Sequence, residues 1–356
     1  PPRSTLFPYT TLFRSGAFSI AVILNQGIMA NIETKYMGLT LCSPVIIGSS
    51  GLTSSLENIR EFAGRGAGAV VLKSLFEEQI MHEIAHTSSH DTTPNVYPEA
   101  LDYISNYSRN HRLDEYLSLI RDARHAVQIP IIASINCISS DEWTTFARKI
   151  EDAGASALEL NIFVMPSDPT HGAEQNEKLY FTILDEVKKQ ISIPVALKIS
   201  YYFSGLAKMA LKLSWAGAKG IVLFNRFYSP DINIDTMKVV ATNVFSSPEE
   251  ISTSLRWVAM LSDRLYCDVC ASTGIHDSEG MIKQLLAGAK AVQIASTLYK
   301  NGFGRIDEMN AGLKSWMEKH GFEKTEDFIG KMSFKKVENP GAYERVQFMK
   351  HFAGIE

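Results

Sequence analysis

The sequence predicts an α/β protein built as a single-domain TIM (β/α)8 barrel, and three observations carry that expectation. Short apolar runs alternate with amphipathic segments from Met29 onward, there are eight such runs, and several of the amphipathic segments end in Ala-Gly-Ala. Apolar strands alternating with amphipathic helices imply parallel strands joined by right-handed crossovers. Eight units over this length favour a closed barrel over an open doubly wound sheet. The open sheet would carry Gly-x-Gly-x-x-Gly after its first strand, and "GSSGLTSS" at 48–55 does not fit that pattern.

In chain order the expected strands are "PVIIGSSG" (44–51), "AVVLKS" (69–74), "PIIASIN" (130–136), "ALELN" (157–161), "PVALKIS" (194–200), "GIVLFN" (220–225), "YCDVCASTG" (266–274) and "AVQIAS" (291–296). The stretches "SSLENIREFAGRGAG", "DEWTTFARKIEDAGAS" and "EKLYFTILDEVKKQIS" read as helices between them. The glycines of "RGAGA" (65–69), "EDAGAS" (151–156), "WAGAKG" (215–220) and "LAGAKA" (286–291) suit helix C-caps before the next strand. Two connections are long, Leu75 to about Arg112 and Arg226 to Ser247. Long connections in such a fold commonly carry the binding site.

The 356 residues are 45% hydrophobic and 21% charged, with a formal net charge of -4. That balance gives no basic surplus for nucleic acid, and no apolar run approaches the roughly 18–20 residues of a membrane span. Residues 1–28 are expected to lie outside the native protein. Pro1–Ser15 contains TLF twice, has no helical or strand period, and reads as a translated oligonucleotide adapter, with Met29 as the start. The barrel is expected over 29–332, with 333–356 an extension of unassigned role. Four cysteines, Cys42, Cys137, Cys267 and Cys270, suggest free thiols in a reducing compartment, and hence a cytoplasmic location. Cys267 and Cys270 fall on an expected strand, where positions i and i+3 face opposite sides, so neither a disulfide nor a shared metal is expected of them.

Nearly every apolar run ends on a residue that can donate a hydrogen bond or a charge. These are Ser49/Ser50, Lys73/Ser74, Asn136, Asn161, Lys198/Ser200, Asn225, Ser272/Thr273 and Ser296. Singly, each serine, threonine or asparagine could cap the following helix. Together, in a barrel, strand ends converge on one face, where the active site lies. Two lysines on one rim call for something negative between them. The last two strands end in "STG" and "QIAS" and each enters a helix, an arrangement that binds phosphate.

The segments "GSSG", "VVLKS", "LELN", "LKISYYF", "ASTGIHDSEGMIKQLLAGAKAVQIASTL" and "GFEKTEDFIGKMS" follow one another over residues 32–332 as in the dihydroorotate dehydrogenases. The chain resembles the soluble class of that family. The resemblance implies a TIM barrel holding FMN, oxidation of dihydroorotate to orotate in pyrimidine (UMP) biosynthesis, and a homodimer. It places Ser49, Ser50 and Gly51 against the flavin, and Lys73 and Ser74 on its ring and ribityl chain. Lys198 would stabilise charge on the reduced ring, Asn161 and Asn225 would touch flavin and substrate, Gly274, Ala295 and Ser296 would hold the phosphate, and Thr273 would also contact the cofactor. Lys73, Lys198 and Asn161 are thus the expected catalytic residues.

One departure stands out. In the family the Leu-Asn pair is followed within a few residues by a catalytic cysteine or serine. Here Ile162, Phe163, Val164, Met165 and Pro166 follow, and none can act as a base. Ser89 stands where the family has an asparagine, and Arg226 follows Asn225 where a small hydroxyl is usual. Either the substrate differs or a displaced base serves, with Asp168, His171 and Cys137 as candidates. No run of cysteines could hold an iron–sulfur cluster, so electrons are expected to leave to a soluble acceptor or a separate electron-transfer subunit.

Two other readings compete. "HEIAH" at 82–86, with His90, fits the H-E-x-x-H zinc motif on a helix face. It sits in a long connection rather than a protease-type helix, and exposed histidines are the simpler account, so no metal is expected. A flavoprotein without catalysis is the third.

Overall fold

The computed structural model describes residues 30–76, 98–136, 140–227 and 229–345. The first elements are a hairpin, β1 (Thr34–Tyr36) and β2 (Leu39–Leu41), then β3 (Val45–Ile47), helix α1 (Leu56–Gly64), β4 (Ala69–Val71) and the short β5 (Leu75–Phe76). Next come α2 (Pro98–Ala126), β6 (Ile131–Asn136), α3 (Ser140–Asp152), β7 (Ala157–Asn161), α4 (Ala173–Gln190), β8 (Val195–Ile199), α5 (Leu206–Trp215) and β9 (Gly220–Leu223). A second hairpin, β10 (Ser229–Asn233) with β11 (Lys238–Thr242), precedes α6 (Ile251–Leu261) and β12 (Asp268–Ser272). There follow α7 (Ser278–Ala287), β13 (Ala291–Ile294), α8 (Ser296–Asn301), α9 (Arg305–His320) and the single turn α10 (Gly341–Glu344).

All eight apolar runs are strands of one parallel sheet. Its order is β4-β3-β13-β12-β9-β8-β7-β6-β5, and pairing of β4 with β6 closes it into a barrel. β5 continues the run of β4 along β6, so the barrel has eight staves. The expected cap glycines behave as such: Gly154 and Gly288 have φ of 94° and 117°.

Alternation along each strand sorts side chains into two layers. Outward residues such as Val70, Ile131, Leu158, Leu197, Ile221 and Val292 pack under the helices. Inward residues at the lower end (Ile46, Val71, Ile132, Ala157, Val222 and Cys270 among them) form a second cluster with Tyr36, Met37 and Leu41. The β1–β2 hairpin therefore stoppers the end of the barrel opposite the strand C-termini. Its turn uses Met37 and Gly38 at φ 54° and 78°, the geometry of a tight two-residue hairpin. The Met37 amide donates to Asp268 at 2.7 Å, tying the stopper to β12. Gly220 makes room for it: a Cβ there would stand 2.6 Å from the Tyr36 hydroxyl.

Cys270 is inside the barrel and Cys267 packs in the outer layer. Both are free thiols. Burial pushes Cys267 up to about 12. The H-E-x-x-H motif, Ser89, His90 and Cys137 lie outside the described residues. Within 333–345, the Phe334 amide donates to the Ala259 carbonyl at 2.9 Å, so this part of the extension lies along α6. No helix among the described residues is long and apolar enough to cross a membrane.

Tyr36 is 1% exposed, and its hydroxyl has no partner among the described residues. Tyr36→Phe is expected to leave the urea midpoint unchanged or raise it. Tyr36→Ala is expected to cost roughly 3–5 kcal/mol, as for other large-to-small core changes.

Candidate active site

At the C-terminal mouth of the barrel the strand ends enclose one cleft. Ser49, Ser50, Gly51, Lys73, Ser74, Asn161, Lys198, Asn225, Thr273, Gly274, Ala295 and Ser296, twelve residues singled out in the sequence, all line it. Asn161 and Lys198 are register partners on β7 and β8. Asp168 and His171 are elsewhere, on the exposed segment between β7 and α4, where they face each other at 3.5 Å with more than half of each side chain open to solvent. Bonds from the Thr170 hydroxyl and amide hold the Asp168 carboxyl below its ordinary range.

The floor of the cleft is a polar layer inside the barrel that sequence reasoning missed. Glu159, two positions below Asn161, points inward and is 1% exposed. Gln293, on β13, donates from Nε2 to Glu159 Oε2 at 2.5 Å. Its Oε1 accepts from Lys198 Nζ at 2.8 Å, and the lysine stands 4.0 Å from the other carboxylate oxygen. A single amide thus bridges a buried anion and a cation, fixing the ammonium where β8 meets the cleft. A buried charge is tolerated only when paired and hydrogen-bonded.

Lys73 reaches the cleft because β4 leaves the ladder. Its Leu72 amide still donates to Ile132 at 2.9 Å, but pairing with β6 resumes only at Leu75. Tyr116 of α2 fills the gap. Its hydroxyl accepts from the Ser134 amide at 2.8 Å and donates to the Ser134 carbonyl at 3.1 Å. Burial pushes that phenol well above its ordinary value. The diverted residues are pinned by hydroxyls: Ser74 Oγ lies 2.7 Å from Ser134 Oγ and 3.1 Å from Ser49 Oγ.

On the opposite wall Thr273 and Gly274 are both left-handed, with φ of 75° and 78°. A Cβ on Gly274 would stand 2.1 Å from the Ile251 amide nitrogen. Successive backbone N–H groups in such turns form anion-binding concavities. Ser246 closes the edge. Its amide donates to Ser296 Oγ at 3.0 Å, its carbonyl accepts from Lys300 at 2.8 Å, and its hydroxyl is 3.0 Å from His276 Nε2. Burial first, and then the Lys300 ammonium, push His276 below its usual value, favouring the neutral ring.

Arg226 spends its guanidinium on the chain itself. It bonds Glu250 at 3.2 Å through Nε and the Val244 carbonyl at 2.8 Å through Nη1. Its Nη2 donates to the carbonyls of Asn243 and Phe245. It latches the segment that follows the β10–β11 hairpin to the end of β9.

Ser50 Oγ and Asn161 Oδ1 are buried at the cleft without a hydrogen-bond partner among the described residues, and Glu159 Oε1 has only the Lys198 ammonium at 4.0 Å. Orphaned groups of this kind mark a place for a polar ligand. With two lysines, two amides and an anion-binding turn, the donor set suits a flat, hydrogen-bonding, phosphate-bearing molecule such as FMN.

The family model described as "Dihydroorotate dehydrogenase" matches residues 31–317. A protein of Thermoplasma volcanium named dihydroorotate dehydrogenase B (NAD(+)), catalytic subunit, is 29% identical over 85% of this chain and 98% of its own length. Proteins of the same name from Pyrococcus furiosus and Methanocaldococcus jannaschii are 27% and 29% identical, covering 84% and 76% of this chain and 98% and 89% of their own.

Gln293→Leu would strand a buried carboxylate and loosen Lys198. It is expected to cost about 1–3 kcal/mol, read as a lowered urea midpoint, whereas a surface substitution such as Lys189→Ala is expected to stay within about 0.5 kcal/mol.

Proposed function

The chain belongs to the dihydroorotate dehydrogenase family and is a dehydrogenase; from that premise we propose that it binds FMN in the barrel-mouth cleft and dehydrogenates a CH–CH bond in a dihydroorotate-like ring. The observation that carries this is the convergence of Lys73, Lys198, Asn161, Asn225 and the Thr273–Gly274 turn on one cleft with unpartnered buried polar atoms. Gly274, Ala295 and Ser296 would hold the phosphate, with Thr273 beside them. Ser49, Ser50 and Gly51 would edge the ring, with Ser74 keeping Ser49 in place. When bound, FMN supplies a hydride acceptor.

The chain's own contribution is electrostatic and positional. The Lys198 ammonium, held by Gln293, sits ready for negative charge developing on the ring, and a donor preorganised in this way need not reorganise during reaction. Asn161 and Asn225 orient the ligand. The Asn225 amide is itself steadied by donating to the Lys198 carbonyl at 3.2 Å. A base must take the neighbouring carbon's proton, and Phe163, Val164 and Met165 cannot. Asp168 and His171, turned to solvent and to each other, are poorly placed for it. Cys137 follows the rim residue Asn136 directly in sequence and is the candidate to test first.

The relatives are named as catalytic subunits of NAD(+)-dependent enzymes. By extension, electrons would leave this chain to a separate electron-transfer subunit in the cytoplasm. Self-association would cover the apolar tip of the second hairpin, where Ile234 and Met237 are 83% and 86% exposed.

Protein produced from Met29 is expected to be yellow, and bleaching when dihydroorotate is added without oxygen would make dihydroorotate itself a substrate. Yellow protein that does not bleach keeps the cofactor and moves the substrate elsewhere. Colourless protein that refuses added FMN overturns the proposal. His171→Ala is expected to keep turnover within about twofold, and loss of the true base to cost roughly 100-fold or more; full turnover in Cys137→Ala would remove that thiol from consideration.

A further inference from the structure

Beside the main cleft, beyond Asn225 and Arg226, opens a second chamber that shares Ser272 and Thr273 with it. Three consecutive strand-to-helix connections furnish it and its approach with aromatic rings. Phe163 comes from the segment after β7, Tyr201 and Tyr202 from the segment after β8, and Phe224 and Phe227 from the end of β9. Phe227 is the hub. Its ring centroid lies 4.8 Å from that of Phe163, 4.9 Å from Tyr202 and 5.3 Å from Tyr201. Tyr201 also meets Phe224 edge-on at 5.6 Å. Yet the cluster is not closed off, because Phe163, Tyr201 and Tyr202 are 40%, 41% and 43% exposed.

The charges around this chamber cancel. Among the described residues its charged lining is Arg226 and Glu250, which are bonded to each other at 3.2 Å. The other guanidinium donors go to backbone carbonyls. An anionic ligand entering here would lose water and gain no free cation from the described lining, which is costly. A flat uncharged ring would stack on or sit edge-on to the aromatic faces, at a gain of about 0.5–1.5 kcal/mol for each ring pair.

We infer that the rings around Phe227 receive an uncharged planar ring, so that the substrate of this chain is a neutral heterocycle rather than one bearing a free carboxylate. The inference rests on the proposed function for the neighbouring cleft, whose place it takes as the seat of the flavin. It explains two sequence departures together. Arg226 holds the chamber wall instead of reading a ligand, and the Phe163–Met165 segment supplies apolar surface instead of a proton carrier.

The test is calorimetric titration of the full chain with 6-methyluracil and with orotate, which differ by a methyl group against a carboxylate on the same ring. The neutral ring is expected to bind at least about tenfold more tightly. Phe227→Leu, which keeps apolar volume but removes the ring, and Phe163→Ala on the exposed segment are each expected to weaken it by about fivefold. Orotate binding more tightly, or both variants binding 6-methyluracil like the parent, would overturn the inference. So would the binding of neither ring, and if Phe227→Leu then altered sedimentation, the rings would be reassigned to a protein contact. The visible spectrum of the same samples reports FMN separately. The chamber is built from protein side chains alone, so a colourless protein that still prefers the neutral ring would fail the cofactor reading and keep this one.

Discussion

Glu159 places a negative charge in the interior of a barrel, and much of the site follows from how that charge is answered. Strand alternation sends every second residue inward, so a carboxylate on β7 two steps above Ala157 has nowhere else to go. It is met by Gln293 from β13, across the barrel. The same amide takes the ammonium of Lys198. Three strands are thereby held at one height by one side chain. Below this layer the interior is apolar and stoppered by Tyr36; above it begins the cleft. The polar layer is both the roof of the core and the floor of the site.

The barrel was legible because its strands are buried on both faces and therefore read as near-continuous apolar runs. Their polar ends were legible for the same reason: Asn161 or Lys198 stands out against such a run. What escaped was partnership. Glu159 and Gln293 are 134 residues apart, and nothing local marks one as the answer to the other. Tyr116 escaped because its helix gives no sign that one phenol will stand in for a strand. Both hairpins escaped as well. The first is three residues on each side of Met37–Gly38, and the second lay in a connection legible only as long. Arg226 was legible only as a departure. Its use as a latch depends on carbonyls of residues 243–245, which sequence alone cannot bring to it.

The latch joins the aromatic side of the site to the wall beside the last two strands. Arg226 anchors the segment ending at Ser246, and Ser246 in turn meets Ser296, His276 and Lys300. A neutral His276, favoured by burial, suits that crowded corner next to an ammonium. The cleft wall beside the last two strands is therefore braced from the β9 connection. This coupling ties the shape of that wall to the connection that lines the aromatic chamber.

Tyr116 has a consequence for how the barrel breathes. The Ser134 amide is held by a side chain of α2 rather than by a neighbouring strand. Exchange of that amide with deuterium would follow the lifting of one helix, not the parting of two staves. The seam between β4 and β6 is thus a place where protection can be lost locally while the ring of strands stays closed, and the loop carrying Lys73 hangs on that seam.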